Sequence, residues 1–222
     1  MPENKGTYIA FEGIVGCGKT TQSKLLYERL KNLYPERNVI WTKEPGGSEI
    51  ANGIRKVVQG TVYAEEMDPV CEQYLYAASR AQTLRKVVKP VLDGGGIVVA
   101  DRSVFTSVSF QGWGRGLGAD TVWKINDVAV DGLLPNRVLF INTDIDIAIA
   151  RAKDGGGDKF ESMGKDFFEK AVAGYMFAVA TYNIMALIDG NGTIGEVEKR
   201  VWDVVQKRVW SVIKTRSILE RK

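Results

Sequence analysis

The chain has 222 residues, of which 45% are hydrophobic and 26% charged, and a formal net charge of +3. That is the size and balance of one soluble globular domain: no apolar run approaches the ~20 residues of a membrane span, no secretion signal is visible, and the charge is too small to point to nucleic acid by itself. Histidine is absent and cysteine occurs only as Cys17 and Cys71, so imidazole bases, histidine metal ligands and Ser-His-Asp triads are excluded, no disulfide framework is implied, and a reducing cytoplasm is expected.

The first apolar run, Tyr8–Phe11, predicts a strand, and a helical pattern follows over 18–33. Between them lies Gly13-Ile14-Val15-Gly16-Cys17-Gly18-Lys19-Thr20, the G-x-x-x-x-G-K-T pattern of a phosphate-binding loop in the context that such a loop requires. Glycines let the backbone turn its N–H groups onto phosphate oxygens, and the helix N-terminus adds its positive end. Lys19 can reach β- and γ-phosphates, and the Thr20 hydroxyl can ligate Mg²⁺. Residues Gly13 to Thr21 are therefore the candidate ATP-binding segment, with ATP or GTP as the bound nucleotide.

A second strand is predicted over 38–42, followed by the sharp turn Lys43-Glu44-Pro45-Gly46-Gly47 and a helix over 48–59. A plain connecting turn is the simpler reading of that segment. A long helix is predicted over 68–92, where Tyr76 and Arg80 are four apart and share a face. They form either a platform and donor for a base, or a core tyrosine beside a surface arginine. The third strand, 96–100, leads to Asp101-Arg102, which is either a surface ion pair or a Mg²⁺-holding acid beside a phosphate-gripping arginine. A helix over 104–112 runs into a glycine-punctuated stretch, Gln111 to Gly118, whose amide can meet a base edge or which is only a connector.

Further helices are predicted over 119–131, 145–152, 164–183 and 193–213, with strands at 137–142 and 185–188 and Asp189 after the last. Lys153 to Lys159, with Gly155, Gly156 and Gly157 at its centre, reads as a mobile loop. Arg151, Lys153 and Lys159 around it are either a solvated charged turn or cations on a lid. Uninterrupted apolar strands such as Ile97-Val98-Val99 predict burial on both faces, hence an α/β fold with a parallel sheet of five strands covered by helices and ligands at the strand ends.

Taken together, these segments resemble the thymidylate kinase family of the nucleoside monophosphate kinase group. The likeness rests on Phe11-Glu12-Gly13 through Gln22, Glu44-Pro45-Gly46-Gly47, Ala77 through Gln82, Asp101-Arg102, Phe110-Gln111-Gly112 with Gly114 through Gly118, and Asp158 through Glu161 with Asp166-Phe167-Phe168. The resemblance implies a three-layer P-loop NTPase fold as one domain over 1–222, with a mobile lid at about 152–162. It implies Mg²⁺-dependent transfer from ATP to dTMP, a homodimer, and no membrane or nucleic-acid partner. It also implies roles: Lys19 on the ATP phosphates, Thr20 and Asp101 at the metal, Arg55 and Arg102 on the acceptor phosphate. By the same resemblance Tyr76 would lie against the pyrimidine, Arg80 and Gln111 would bond its edge, Ser107 would bind substrate, and Glu44 and Asp101 would organise the metal and acceptor site. Other acceptors, such as dUMP or UMP, and a regulatory module without turnover are the alternatives.

The chain departs from the family pattern at several places. Its phosphate loop carries no arginine, so the helper cation falls to Arg151, Lys153 or Lys159, with Lys159 where the family has arginine. Val15 replaces an acidic residue placed near the sugar 3′-hydroxyl, and Ser103 an aromatic or histidine associated with rejecting ribose, so relaxed discrimination against a 2′-hydroxyl is expected. Cys17 replaces a small alanine. It is either filler, or an easily ionised thiol whose alkylation inactivates and against which ATP protects.

Overall fold

The structure is a computed structural model and describes residues 6–60, 63, 65–153 and 163–208. Its sheet contains β1 (Thr7–Glu12), β2 (Val39–Lys43), β3 (Ile97–Asp101), β4 (Arg137–Asn142) and β5 (Met185–Asp189). The order is β2-β3-β1-β4-β5 and every pairing is parallel. Parallel neighbours need crossover connections, and the helices supply them. They are α1 (Lys19–Leu33), α2 (Glu49–Gln59), α3 (Pro69–Thr83), α4 (Lys89–Asp93), α5 (Val104–Ser107), α6 (Ala119–Val130), α7 (Ile145–Lys153), α8 (Lys165–Thr181) and α9 (Ile194–Arg208).

β1 and β3 are buried along their whole length, as their apolar, β-branched runs require. The core is built around Ile9, Phe11, Val98, Val99, Leu139 and Phe140, with Tyr175 of α8 stacked on Phe140 at 4.7 Å between ring centroids. Each fully buried side chain of this size contributes about 1.5–3 kcal/mol. Because the strands are parallel, the segments after all five emerge at one edge of the sheet, with the phosphate loop following the central strand.

Two predicted helices are interrupted. The one expected over 68–92 passes through a π-helical segment, Leu84–Val88, before α4. Pro90 lacks an N–H and its ring collides with the carbonyl a turn earlier, so the regular ladder cannot continue through it. The helix expected over 104–112 is only α5, and it continues as a π-helical segment, Val108–Gly114. Arg115 N–H closes that segment on the Phe110 carbonyl at 2.8 Å. Gln111 therefore sits on a buried helical turn rather than in a loose connector. Glu12, Lys43, Asp101 and Asp189 end their strands instead of following them. The lid segment 154–162 and the last part of the helix expected over 193–213 lie outside the described residues.

Candidate active site

The loop after β1 needs backbone conformations that side chains resist. Gly16 has φ 76°, and a Cβ there would lie 1.9 Å from the Ala148 carbonyl oxygen of α7. Gly18, at φ 95°, opens α1 with no side-chain cap, so the first N–H groups of the helix remain for an anion. Lys19 is buried and donates through Nζ to the Ile14 carbonyl at 3.2 Å. Burial, with the Arg102 charge acting in the same direction, pulls its ammonium below the ordinary lysine range. Thr143, after β4, donates to the Cys17 carbonyl at 3.0 Å and braces the loop from below.

Thr20 Oγ1 donates to Asp101 Oδ2, joining the start of α1 to the end of β3. Asp101 Oδ1 is buried with no partner among the described residues, an acceptor left over for a cation or its water. An open trough runs from the phosphate loop past Arg151 and Ala152 to Gly190, Gly192, Thr193 and Ile194 beyond β5. The segment after β5 was not assigned a role from sequence. Its glycines signal only a turn until the strand order sets them beside the loop.

Across the end of β1 lies a second, narrow crevice, lined by Glu44, Tyr76, Arg80, Arg102, Phe110 and Gln111 among others. Arg80 forms its back wall at 3% exposure. Its Nε donates to Glu44 Oε2 at 2.7 Å, its Nη1 to Asn126 Oδ1, and its Nη2 to the Ser103 carbonyl at 3.3 Å and Ser107 Oγ at 3.2 Å. Burial pushes the Glu44 carboxyl above its usual range, against the pull of Arg80. Tyr76 and Phe110 line the crevice with Gln111, whose Nε2 donates to Glu72 Oε1 at 2.7 Å.

Arg102 guards the mouth. Its backbone is left-handed, φ 79°, a conformation that costs a non-glycine residue roughly 1–3 kcal/mol and persists where neighbours over-determine it. Here its N–H donates to the Phe11 carbonyl at 2.8 Å and its Nη1 to the Gly13 carbonyl at 3.0 Å. The next residue is pinned by Glu12, whose Oε1 accepts from Ser103 N–H at 2.8 Å and Ser103 Oγ at 2.7 Å. Thr106 Oγ1 and Tyr175 OH donate to the other carboxylate oxygen. Burial raises the Glu12 carboxyl, while these hydrogen bonds and Arg102 pull it back.

The structure thus brings together Lys19, Thr20 and Asp101 on one side, and Glu44, Tyr76, Arg80, Arg102, Ser107 and Gln111 on the other. Arg80 is not a surface arginine, because four acceptors hold it in the interior. Arg55 is not brought into the crevice. Its Nη1 donates to the Pro45 carbonyl at 2.9 Å, and its side chain lines a separate groove with Lys43 and Lys56. Val15 lines the trough rather than the crevice. Cys17 is 2% exposed, which favours the filler reading over that of a reactive thiol; Cys71 is the exposed thiol. Lys159 and the Lys153 side chain lie outside the described residues. Glu12, Glu72 and Asn126 were not found as site residues from sequence. The one available signal was a carboxylate, Glu12, ending an otherwise apolar strand beside the phosphate loop.

A phosphate loop on the central strand of a parallel sheet, facing a polar-walled crevice across Arg102, is the architecture of a P-loop phosphotransferase. The profile of the thymidylate kinase family matches residues 11–201. A thymidylate kinase of Fervidobacterium nodosum is 37% identical over 196 residues, covering 87% of this chain and 95% of the relative. One from Trichodesmium erythraeum is 32% identical over 213 residues, 90% of this chain and 95% of its own length. The crystal structure of thymidylate kinase from Ehrlichia chaffeensis superposes with a TM-score of 0.73 at 28% identity, covering 91% of this chain and 99% of that one. The chain belongs to the thymidylate kinase family.

Proposed function

We propose that this chain transfers the terminal phosphoryl group of ATP to dTMP, giving ADP and dTDP. The observation that carries the reading is the paired architecture: an uncapped helix and buried lysine on one side of β1, and an Arg80-walled crevice on the other. Transfer of this kind depends on alignment and charge neutralisation rather than covalent catalysis, which suits a chain without histidine.

In this reading the loop amides from Gly13 to Thr21 and Lys19 hold the donor phosphates. Arg102 grips the acceptor phosphate, Tyr76 stacks on the pyrimidine, and Arg80 and Gln111 meet its edge. Arg151, Lys153 or Lys159 supplies the helper cation, the last two from the segment 152–162 that the reading treats as a lid of a single domain. Arg55 acts on the acceptor phosphate only through the Glu44-Pro45 turn it braces. Thr20 and Asp101 fit Mg²⁺: both offer hard oxygens, and the Asp101 Oδ1 acceptor is unspent. Magnesium keeps several waters and is commonly bound through one or two carboxylates plus substrate phosphates, which this small donor set allows. Bound there, Mg²⁺ supplies neutralisation of phosphate charge.

A homodimer is part of this proposal. Ile50 and Val57 on α2, and Val70 and Tyr74 on α3, leave apolar side chains exposed at one-face spacings on two helices that pack together. Sedimentation that gives a monomer at micromolar concentration removes it. A cytoplasmic location is likewise proposed; among the described residues no helix is long and apolar enough to cross a membrane.

The test is ADP release with Mg²⁺-ATP across dTMP, dUMP, UMP and dCMP. dTMP is expected to give the highest kcat/KM. With the small Ser103 side chain turned onto Glu12, UMP is expected to be less strongly rejected than a bulky block would achieve, by ~1–3 kcal/mol. Transfer to none of these acceptors overturns the proposal.

A further inference from the structure

Gln111 is 1% exposed and lines the crevice, yet only one end of its amide is satisfied. Nε2 donates to Glu72 Oε1 at 2.7 Å, and Oε1 is buried without a partner. An amide in isolation presents either end, because its oxygen and nitrogen are nearly equal in shape. Glu72 removes that freedom. It is fully buried on α3, one turn before Tyr76, and its other oxygen accepts from Arg115 Nη2 at 3.0 Å. A carboxylate accepts and does not donate, so the NH₂ of Gln111 must turn toward it.

We infer that Glu72 is a positioning residue that fixes the polarity of the Gln111 amide, making the crevice a reader of a ring N–H donor. The inference rests on the acceptor reading proposed above. Thymine and uracil carry an imide N3–H, which meets Gln111 Oε1 as donor to acceptor. Cytosine carries a lone pair on N3, which faces the same oxygen as acceptor to acceptor and leaves it buried and unsatisfied. A site built to bond one group rejects the analogue that lacks it more strongly than shape alone does. The base preference is thus set by a residue that the base does not touch, whose charge is balanced by Arg115, just past the end of the π-helical segment that carries Gln111.

The experiment compares kcat/KM for dTMP and dCMP in the wild type, Glu72→Gln, and the exchange Glu72→Gln with Gln111→Glu. In Glu72→Gln the new amide offers either end, so Gln111 is released to present its NH₂ group. The dTMP-to-dCMP ratio is expected to fall about tenfold or more. In the exchange, residue 72 donates and residue 111 again offers an oxygen to N3–H, so the ratio is expected to return toward the wild-type value. A purely structural role for Glu72 lowers both substrates together and leaves the ratio in place, which overturns the inference. Should Glu72→Gln fail to fold, the exchange, which keeps charge and volume, is read alone: a ratio tenfold below wild type overturns it. A wild type active on dTMP with an unmoved ratio in the variants rejects this inference only; a wild type inactive on dTMP rejects the acceptor reading as well.

Discussion

Replacing Glu44 with alanine strips Arg80, which is 3% exposed, of its anionic partner. The neutral acceptors that remain, Asn126, Ser107 and the Ser103 carbonyl, satisfy hydrogens but not charge. Breaking one half of a buried ion pair costs about 3–5 kcal/mol, since the remaining charge is left uncompensated. For a domain of this length each kcal/mol lowers Tm by about 2–4 °C, so the expected loss is roughly 6–20 °C. Removing both partners with apolar residues of similar volume, Glu44→Leu with Arg80→Met, should recover most of that stability, because neither charge is then stranded. Catalysis should not follow: the double variant keeps its fold and loses dTMP turnover, as the crevice has lost its edge donor. Calorimetry and ADP release on the three proteins separate the two effects. A single variant as stable as wild type, or a double variant as unstable as the single, refutes this account of Arg80.

Gly16→Ala places a Cβ 1.9 Å from the Ala148 carbonyl at φ 76°, so the loop must shift away from α7; the KM for ATP should rise at least about tenfold, read by initial rates, and an unchanged value refutes the close approach. Lys159→Ala should lower kcat far more than it raises the KM for dTMP; an unchanged kcat removes Lys159 from the chemistry. Glu12 has its carboxyl raised in the folded state, so just above the ordinary carboxyl value of 4.5 the native protein holds a proton that the unfolded chain has released. The stability this supplies is complete below 4.5 and is lost as pH rises through the raised folded value. Denaturation against pH should therefore show the advantage of wild type over Glu12→Gln shrinking in that window; an advantage that grows with pH contradicts the burial argument.

The strands, the phosphate loop and the Tyr76–Arg80 pair were legible because each is written locally, in an apolar run, a glycine spacing or a four-residue step. What was not legible depends on partners far along the chain. Glu72 and Gln111 lie 39 residues apart, and their bond exists only because α3 packs beside the π-helical turn. Such turns leave no mark in a 3.6-residue periodicity, so Gln111 read as part of a loop. Arg55 was expected on the acceptor phosphate from the resemblance alone, and its hydrogen bond to the Pro45 carbonyl is a contact that only the folded turn creates. Glu12 was visible as a residue and not as a hub, since the groups that surround it come from α5 and α8.

The strand order divides labour between the two flanks of the sheet. Segments following β1, β4 and β5 frame the trough, while those following β2 and β3, with α3, wall the crevice. β1 is the shared hinge post between them, and Arg102 bridges to it from the crevice flank. Respecifying the molecule for a new nucleobase is accordingly a one-sided engineering problem: α3 and the turn bearing Gln111 can be rebuilt while the nucleoside triphosphate half is left as it stands.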